Sequence, residues 1–203
     1  MIKNIIFDLG NVLVDVHYER FREKIYSFNN SKDAYDNFFL DGNYWNLGFE
    51  AGKLTTNEFV SKCIAELQLE MSRENFITAF NDVFDEINPM KDIVQKLSKE
   101  KSYKLFLLSN TSPLHFNYVM RKFDYINLLD KYGLSYELKS LKPGREIYER
   151  AIKHFGVYPE ECLFIDDLVE NCLAAEKFGI KTIVYNKHDH NEFINDFDNA
   201  LKV

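Results

Sequence analysis

Met1-Ile-Lys-Asn-Ile-Ile-Phe-Asp-Leu-Gly-Asn-Val-Leu-Val-Asp15 opens the chain and decides how the rest is read. Ile2, Ile5, Ile6 and Phe7 form a short apolar run of the kind that makes a strand buried on both faces of a parallel sheet. The run stops on Asp8, and Gly10 and Asn11 follow with the chemistry of a tight turn. In open α/β sheets ligands bind at the carboxyl ends of the strands, so a carboxylate there is a candidate nucleophile or metal ligand. A lone Asp after a strand more often only starts a turn. Three segments further along change that balance.

Lys104-Leu-Phe-Leu-Leu-Ser-Asn-Thr111 is a second apolar strand, closing on Ser109 and Asn110, whose side chains can donate hydrogen bonds to an anion. Ser112-Pro113 then reads as the N-cap and first position of a helix, whose free N–H groups would face the same place. In Ser140-Leu-Lys-Pro-Gly-Arg-Glu-Ile-Tyr148, Lys142 precedes a helix with Ile147, Tyr148, Ala151 and Ile152 on one face. Cys162-Leu-Phe-Ile-Asp-Asp-Leu168 is a third buried strand, ending on the adjacent acids Asp166 and Asp167, which repel unless a cation or proton compensates. Asn171 follows, in a helix predicted to turn Leu173, Ala174 and Phe178 inward and to stop at Gly179.

Three apolar strands ending in Asp, Ser-Asn and Asp-Asp, with a Lys between the last two, make a constellation. It resembles the haloacid dehalogenase (HAD) superfamily, whose four motifs match, in order, Asp8-Leu-Gly-Asn-Val, Leu108-Ser-Asn-Thr111, Lys142-Pro143, and Ile165-Asp-Asp167 with Asn171. The resemblance covers essentially the whole chain. Within the superfamily it is greatest to a bacterial subgroup that includes an α-glucose-1-phosphate phosphatase, a likeness extended by Trp45, Phe49-Glu50, Gly52 and Thr56-Asn-Glu-Phe59.

Composition and patterning bound the rest. The chain has 203 residues, 46% hydrophobic and 15% aromatic, ample for a large core, and a net charge of −7 that argues against a nucleic-acid partner. No apolar stretch approaches a membrane span, and the acidic turn at Asp8 is unlike a secretion signal, so a cytoplasmic protein is expected. Cys63, Cys162 and Cys172 lack metal-ligand spacing and read as buried free thiols. Between Asp15 and Asn88-Pro89 the periodicity is helical. Tyr18, Phe21, Ile25 and Phe28 recur at helical spacing. Thr55-Thr-Asn-Glu58 is a capping box ahead of Phe59, Val60, Cys63, Ile64 and Leu67. Ser72 is a further N-cap, ahead of Phe76, Ile77, Phe80, Val83 and Phe84. From Pro89 on, helices alternate with short apolar strands. The fold class is therefore α/β: a Rossmann-like parallel-sheet core from 1–15 and 88–203, with an all-helical insert at 16–87. By the resemblance this insert is a cap over the active site. Tyr44, Trp45 and Phe49 read as its core packing.

If Asp8, Asp166 and Asp167 converge, three carboxylates require a hard cation, and an all-oxygen site with water suits Mg2+. The resemblance implies the individual roles. Asp8 is the nucleophile that forms an aspartyl-phosphate; Mg2+ is held by Asp8, the Gly10 carbonyl and Asp167, with Asp166 acting through water. Ser109 and Asn110 bind the transferring phosphoryl group, and Lys142 neutralises it and keeps Asp8 ionised. One position departs from the family pattern. Most of its phosphatases carry a second Asp two residues after the nucleophile, as general acid, and here Gly10 stands there; general acid catalysis is typically worth ~10²–10⁴ in rate. Asp15, read as a helix N-terminal residue, and His17 are the nearby alternatives. An anomeric oxygen leaves more readily than an ordinary alcohol, which points to a sugar 1-phosphate. A positive φ at Gly10 is the expected obstacle to an Asp in its place. The expectation is a Mg2+-dependent phosphatase of a small phosphorylated metabolite, monomeric or weakly dimeric. A 2-haloacid dehalogenase has no use for the Asp166-Asp167 pair, and a non-catalytic phospholigand binder has none for a nucleophile.

Overall fold

Apolar runs bounded by turn residues make the strands, and their order makes the site. The computed structural model describes residues 1–28 and 48–202. Tyr44 and Trp45, expected in the packing of the insert, lie outside the described residues. The main sheet has five parallel strands in the order β5-β4-β1-β6-β7: β1 Asn4–Phe7, β4 Lys104–Ser109, β5 Lys131–Leu134, β6 Cys162–Asp166 and β7 Lys181–Val184. Strands β2 (Val14–Val16) and β3 (Phe84–Glu86) pair separately as a two-stranded antiparallel ribbon. Among the described residues the helices include α1 Tyr18–Tyr26, α2 Thr56–Glu66, α3 Arg73–Asn81, α4 Asn88–Glu100, α5 Pro113–Lys122, α6 Ser135–Leu138, α7 Arg145–Phe155, α8 Val169–Glu176 and α9 His190–Leu201. No helix among the described residues is long and apolar enough to cross a membrane.

Strand alternation divides the core. Ile5, Phe7, Leu105, Leu107, Leu163 and Ile165 join one cluster, which runs without a break into the insert through Phe21, Phe59, Phe76 and Phe80. Ile6, Phe106, Leu108, Cys162 and Phe164 face the other way, onto Ile147, Tyr148, Ala151 and Phe155 of α7 and Ala174 and Ala175 of α8. In the insert, Phe59 and Phe76 are fully buried. Phe49 stacks on Phe59 at 4.2 Å, and Phe21 meets Phe76 edge-on at 5.5 Å. The capping box forms at Thr55 with Glu58, and Ser72 caps α3 by accepting the Asn75 N–H.

The insert is also seated on the core by polar contacts. The Ser135 hydroxyl, fully buried, accepts the Thr111 N–H (3.0 Å) and donates to the Glu50 carbonyl (2.7 Å). Lys139 Nζ donates to the Gly52 carbonyl at 2.8 Å. Gly52 has φ +66°, and a Cβ there would lie 2.1 Å from the Tyr136 carbonyl oxygen, so only glycine fits against that carbonyl.

Several local expectations change. The third helix of the insert does not carry Val83 and Phe84 on its stripe: it ends at Asn81, and Phe84 begins the ribbon strand β3. The helical reading of the whole stretch from Asp15 to Asn88 likewise misses this ribbon, because three-residue strands are too short to show a period. Tyr18 and Phe28 are exposed, leaving Phe21 and Ile25 as the buried face of α1. Leu173 is 54% exposed, whereas Asn171, Cys172, Ala174 and Ala175 are the buried residues of α8.

The aromatic cluster should dominate the stability of the insert. Phe76→Ala removes a buried ring from a site packed on several sides and should cost about 3–5 kcal/mol. Urea denaturation measures it, and a loss below about 1 kcal/mol would mean that the cluster is not rigidly packed.

Candidate active site

The carboxyl ends of β4, β1 and β6 lie side by side because the three strands are parallel and in register: Phe7 pairs with Leu107 and with Ile165. The residues that end them, Asp8, Ser109 and Asp166, therefore share one edge of the sheet. Alternation adds a direction. Asp166 shares the strand face of Phe164, which is the face covered by α7, the helix that follows Lys142. Lys142 reaches this edge from the loop before α7, with its side chain 1% exposed. Its Nζ lies 2.8 Å from Asp8 Oδ1 and 2.6 Å from Asp166 Oδ2, and 5.4 Å from the centre of the Phe164 ring.

Charge is crowded here. The Asp8 carboxyl is pushed up to about 6: burial is the largest cause, the Asp166 charge adds to it, and Lys142 opposes both. Burial works against the Lys142 ammonium as well, but Asp8 and Asp166 outweigh it and raise its pKa, so it stays protonated. Asp167 is half-buried and also shifted upward, by burial first and then by Asp166, against the hydrogen bond from Asn11. Asp8 Oδ1 is ion-paired to Lys142 Nζ at 2.8 Å, which leaves the other oxygen of this buried carboxylate outside that pair.

These residues fit a metal ion. Asp8, Asp166 and Asp167 each present a carboxylate oxygen, all within 4.8 Å of one another, and one ammonium cannot neutralise three acids. Asp166 is the most committed of the three, with Lys142 Nζ on Oδ2 and, on Oδ1, the Leu168 N–H and Asn171 Nδ2, both at 2.9 Å. Asp167 accepts a hydrogen bond at 3.2 Å from Asn11 Nδ2. An all-carboxylate donor set of this kind suits a hard divalent cation.

The second motif is tied to the loop that carries Lys142. Ser109 is buried at the end of β4, its hydroxyl making one long contact, 3.4 Å, to the Asn110 carbonyl. The Asn110 side chain is engaged with the Lys142 peptide. Its Nδ2 donates to the Lys142 carbonyl (2.9 Å) and its Oδ1 accepts the Lys142 N–H (2.8 Å), so the amide is a brace for the lysine. The start of α5 also has fewer free donors than predicted. Pro113 has no N–H, and Ser112 takes that of His115 through Oγ and that of Phe116 through its carbonyl.

Gly10 and Asp15 correct two further expectations. The left-handed residue of the first turn is Asn11 (φ 55°), while Gly10 is not among the glycines of positive φ. A Cβ on Gly10 would meet only Val16 Cγ2, at 3.3 Å, within 4 Å. Asp15 is not at a helix N-terminus. It lies in β2 opposite Asp85, a like-charge pairing relieved by Lys187 on Asp15 and Arg20 on Asp85, with His17 Nε2 at 3.3 Å and 3.5 Å from the two. Burial alone would raise the Asp15 carboxyl, but Lys187 outweighs it and holds it low, so Asp15 carries no proton to give at neutral pH. Lys187 and Asn11 are the residues sequence reading passed over; the Gly10-Asn11 turn pointed to Asn11, and nothing in the local sequence pointed to Lys187.

The family model for haloacid dehalogenase-like hydrolases matches residues 2–179. A D-ribitol-5-phosphate phosphatase of Bacteroides thetaiotaomicron is 32% identical over 197 residues, spanning 90% of this chain and 91% of that one. The crystal structure of a HAD family enzyme from the same organism, in complex with magnesium and inorganic phosphate, superposes with a TM-score of 0.81 at 32% identity, over 92% of this chain and 96% of that one. A HAD-like hydrolase from Porphyromonas gingivalis superposes with a TM-score of 0.82 at 28% identity, over 100% and 99%. An (S)-2-haloacid dehalogenase of Burkholderia cepacia is 26% identical over 134 residues, 65% of this chain and 58% of that one.

The raised Asp8 carboxyl has a measurable cost. A carboxyl whose pKa is higher in the folded than in the unfolded chain, where it is ~3.9, favours folding while protonated. That contribution is complete below the unfolded value and is lost as pH rises through about 6. In excess EDTA, thermal denaturation should show wild type losing stability relative to Asp8→Asn as pH rises from about 4 to about 7. A difference between the two proteins that stays flat across that range would show that the carboxyl is not raised.

Proposed function

The chain belongs to the haloacid dehalogenase-like hydrolases, and we propose that within that family it is a Mg2+-dependent phosphatase of a small sugar or polyol phosphate. The observation that carries this reading is Asp8 itself: a buried carboxylate set at a strand end, ion-paired to Lys142 and within 4.8 Å of two further acids. A dehalogenase needs the nucleophile and the lysine but has no use for Asp166 and Asp167 together. Magnesium and phosphate in the Bacteroides thetaiotaomicron structure support the same choice.

Asp8, Asp167 and the Gly10 carbonyl would hold Mg2+, with Asp166 as an outer partner whose oxygens are already occupied. When bound there, Mg2+ neutralises charge on the phosphate dianion and on the acids around it. Asp8 attacks phosphorus through a carboxylate oxygen, giving an aspartyl-phosphate as the phosphorus–oxygen bond to the leaving group breaks, and the leaving oxygen takes its proton from water. Ser109 donates to the transferring group. Lys142, fixed by the Asn110 amide, stabilises the charge on its oxygens. Water then cleaves the acyl-phosphate bond and regenerates Asp8. The insert at 16–87 acts as the cap that encloses the substrate. The buried free thiols Cys63, Cys162 and Cys172 support a reducing, cytoplasmic setting.

The leaving group carries the finer reading. With Gly10 in place of an acid and Asp15 held ionised by Lys187, no carboxylic acid of the first motif is available to protonate it. That favours a sugar 1-phosphate, whose anomeric oxygen departs with less help. The ribitol 5-phosphate of the relative's name is the competing choice.

Phosphate release from both substrate types, with Mg2+ and with EDTA, tests the activity. Turnover should require Mg2+ and vanish in Asp8→Asn; undiminished release in EDTA would overturn the phosphatase reading. Gly10→Asp should raise turnover of alkyl phosphates by ~10²-fold or more and flatten the dependence on leaving-group pKa across substituted phenyl phosphates. Equal slopes in both proteins would show that another acid is already in place.

A further inference from the structure

Asn11 makes two side-chain hydrogen bonds that tie distant parts of the chain to the acidic cluster. Its Nδ2 donates to Asp167 Oδ2 at 3.2 Å, and its Oδ1 accepts from Lys187 Nζ, also at 3.2 Å. The orientation of the amide is dictated by chemistry at both ends. An ammonium has only protons to offer and a carboxylate only lone pairs, so the oxygen must face Lys187 and the nitrogen Asp167. The backbone of Asn11 is left-handed (φ 55°), a conformation that Asn tolerates better than most residues. Lys187 comes from the segment after β7. It reaches Asn11 while ion-paired to Asp15 of β2, the ribbon strand at the base of the insert.

We propose that Asn11 and Lys187 are positioning residues for Asp167. Lys187 fixes which way the Asn11 amide points, and the amide holds one oxygen of Asp167 so that the other is left for the cation. Through Asp15 the same lysine fastens this metal acid to the ribbon, so the set of the insert and the set of the metal site are linked. The Lys187–Asp15 pair is partly exposed, with side chains 29% and 27% accessible, and such pairs add little to stability. Its effect is therefore expected on metal affinity more than on folding. Partners of this kind, one step removed from the metal, typically change affinity by ~10–100-fold when lost.

The inference rests on the reading of Asp167 as a Mg2+ ligand, and the experiment separates the two. Mn2+ serves as the probe, its free concentration read by electron paramagnetic resonance, on wild type, Asp167→Asn, Asn11→Gly, Lys187→Met, Lys187→Arg and the Asn11→Gly/Lys187→Met double variant. Asn11→Gly keeps a residue at ease with positive φ, and Lys187→Met keeps length without charge. Each should weaken Mn2+ binding by about 10-fold while the melting temperature stays near wild type. The double variant should bind no more weakly than Asn11→Gly, because Lys187 acts through Asn11, and Lys187→Arg should restore most of the affinity. If Asp167→Asn weakens binding while Asn11→Gly and Lys187→Met do not, or if their losses add in the double variant, the relay is overturned and the phosphatase reading stands. If Asp167→Asn itself binds Mn2+ as wild type does, the metal assignment of Asp167 falls, and the relay with it.

Discussion

One ammonium group holds the site together. Lys142 lies almost wholly out of water between Asp8 and Asp166, at 2.8 Å and 2.6 Å. Burying a charge is costly unless it is paired, and each of these three groups is the reason the others can be buried. The surroundings hold the lysine by its peptide through Asn110, and Asn171 and the Leu168 N–H complete the shell of Asp166. Two strands ending on carboxylates could not lie side by side without that cation. Even with it the balance is unfinished: Asp167 brings a third acid to the same place. Stability left incomplete at a catalytic centre is a common consequence of selection for function.

The insert is continuous with the core rather than laid over it. The sheet face carrying Ile5, Phe7, Leu105 and Leu107 shares one apolar cluster with Phe21, Phe59, Phe76 and Phe80. Polar contacts add precision where apolar ones are non-directional. The Ser135 hydroxyl joins the turn after β4 to the Glu50 carbonyl, and Gly52 rests on the Tyr136 carbonyl where no side chain has room. The insert thus meets the core both at the β2–β3 ribbon and beside the second motif, and both places border the reacting groups.

The first turn separates a chemical constraint from a conformational one. Gly10 invites the thought that glycine is there for its backbone, yet the left-handed residue is Asn11. A Cβ at Gly10 would meet Val16 Cγ2 at 3.3 Å, a tight contact that the neighbour must relax by a few tenths of an ångström, with no positive φ to oppose it. Asp15 does not substitute for an acid at Gly10, because its pairing with Lys187 keeps it ionised.

Strand ends are legible in a sequence because they are local. An apolar run that stops on a polar residue places that residue at the sheet's edge, and parallel strands in register bring several such edges together. Asp8, Ser109 and Asp166 were readable for this reason, as were the Thr55, Ser72 and Ser112 caps, which are set within three residues. Strand β5 has no such signature: Lys131-Tyr-Gly-Leu134 is short and half polar, and it becomes a strand because β4 offers it a partner. The ribbon at Phe84 was equally hidden. So was the pairing of the Asn110 amide with the Lys142 peptide, since an amide can donate and accept toward many partners. Lys187 is the extreme case, 176 residues from the Asn11 it orients. By itself the sequence determined which residue types reach the edge of the sheet; only the tertiary structure decided how their hydrogen bonds are shared, because hydrogen-bond partners are chosen by proximity in space and leave no period in the chain.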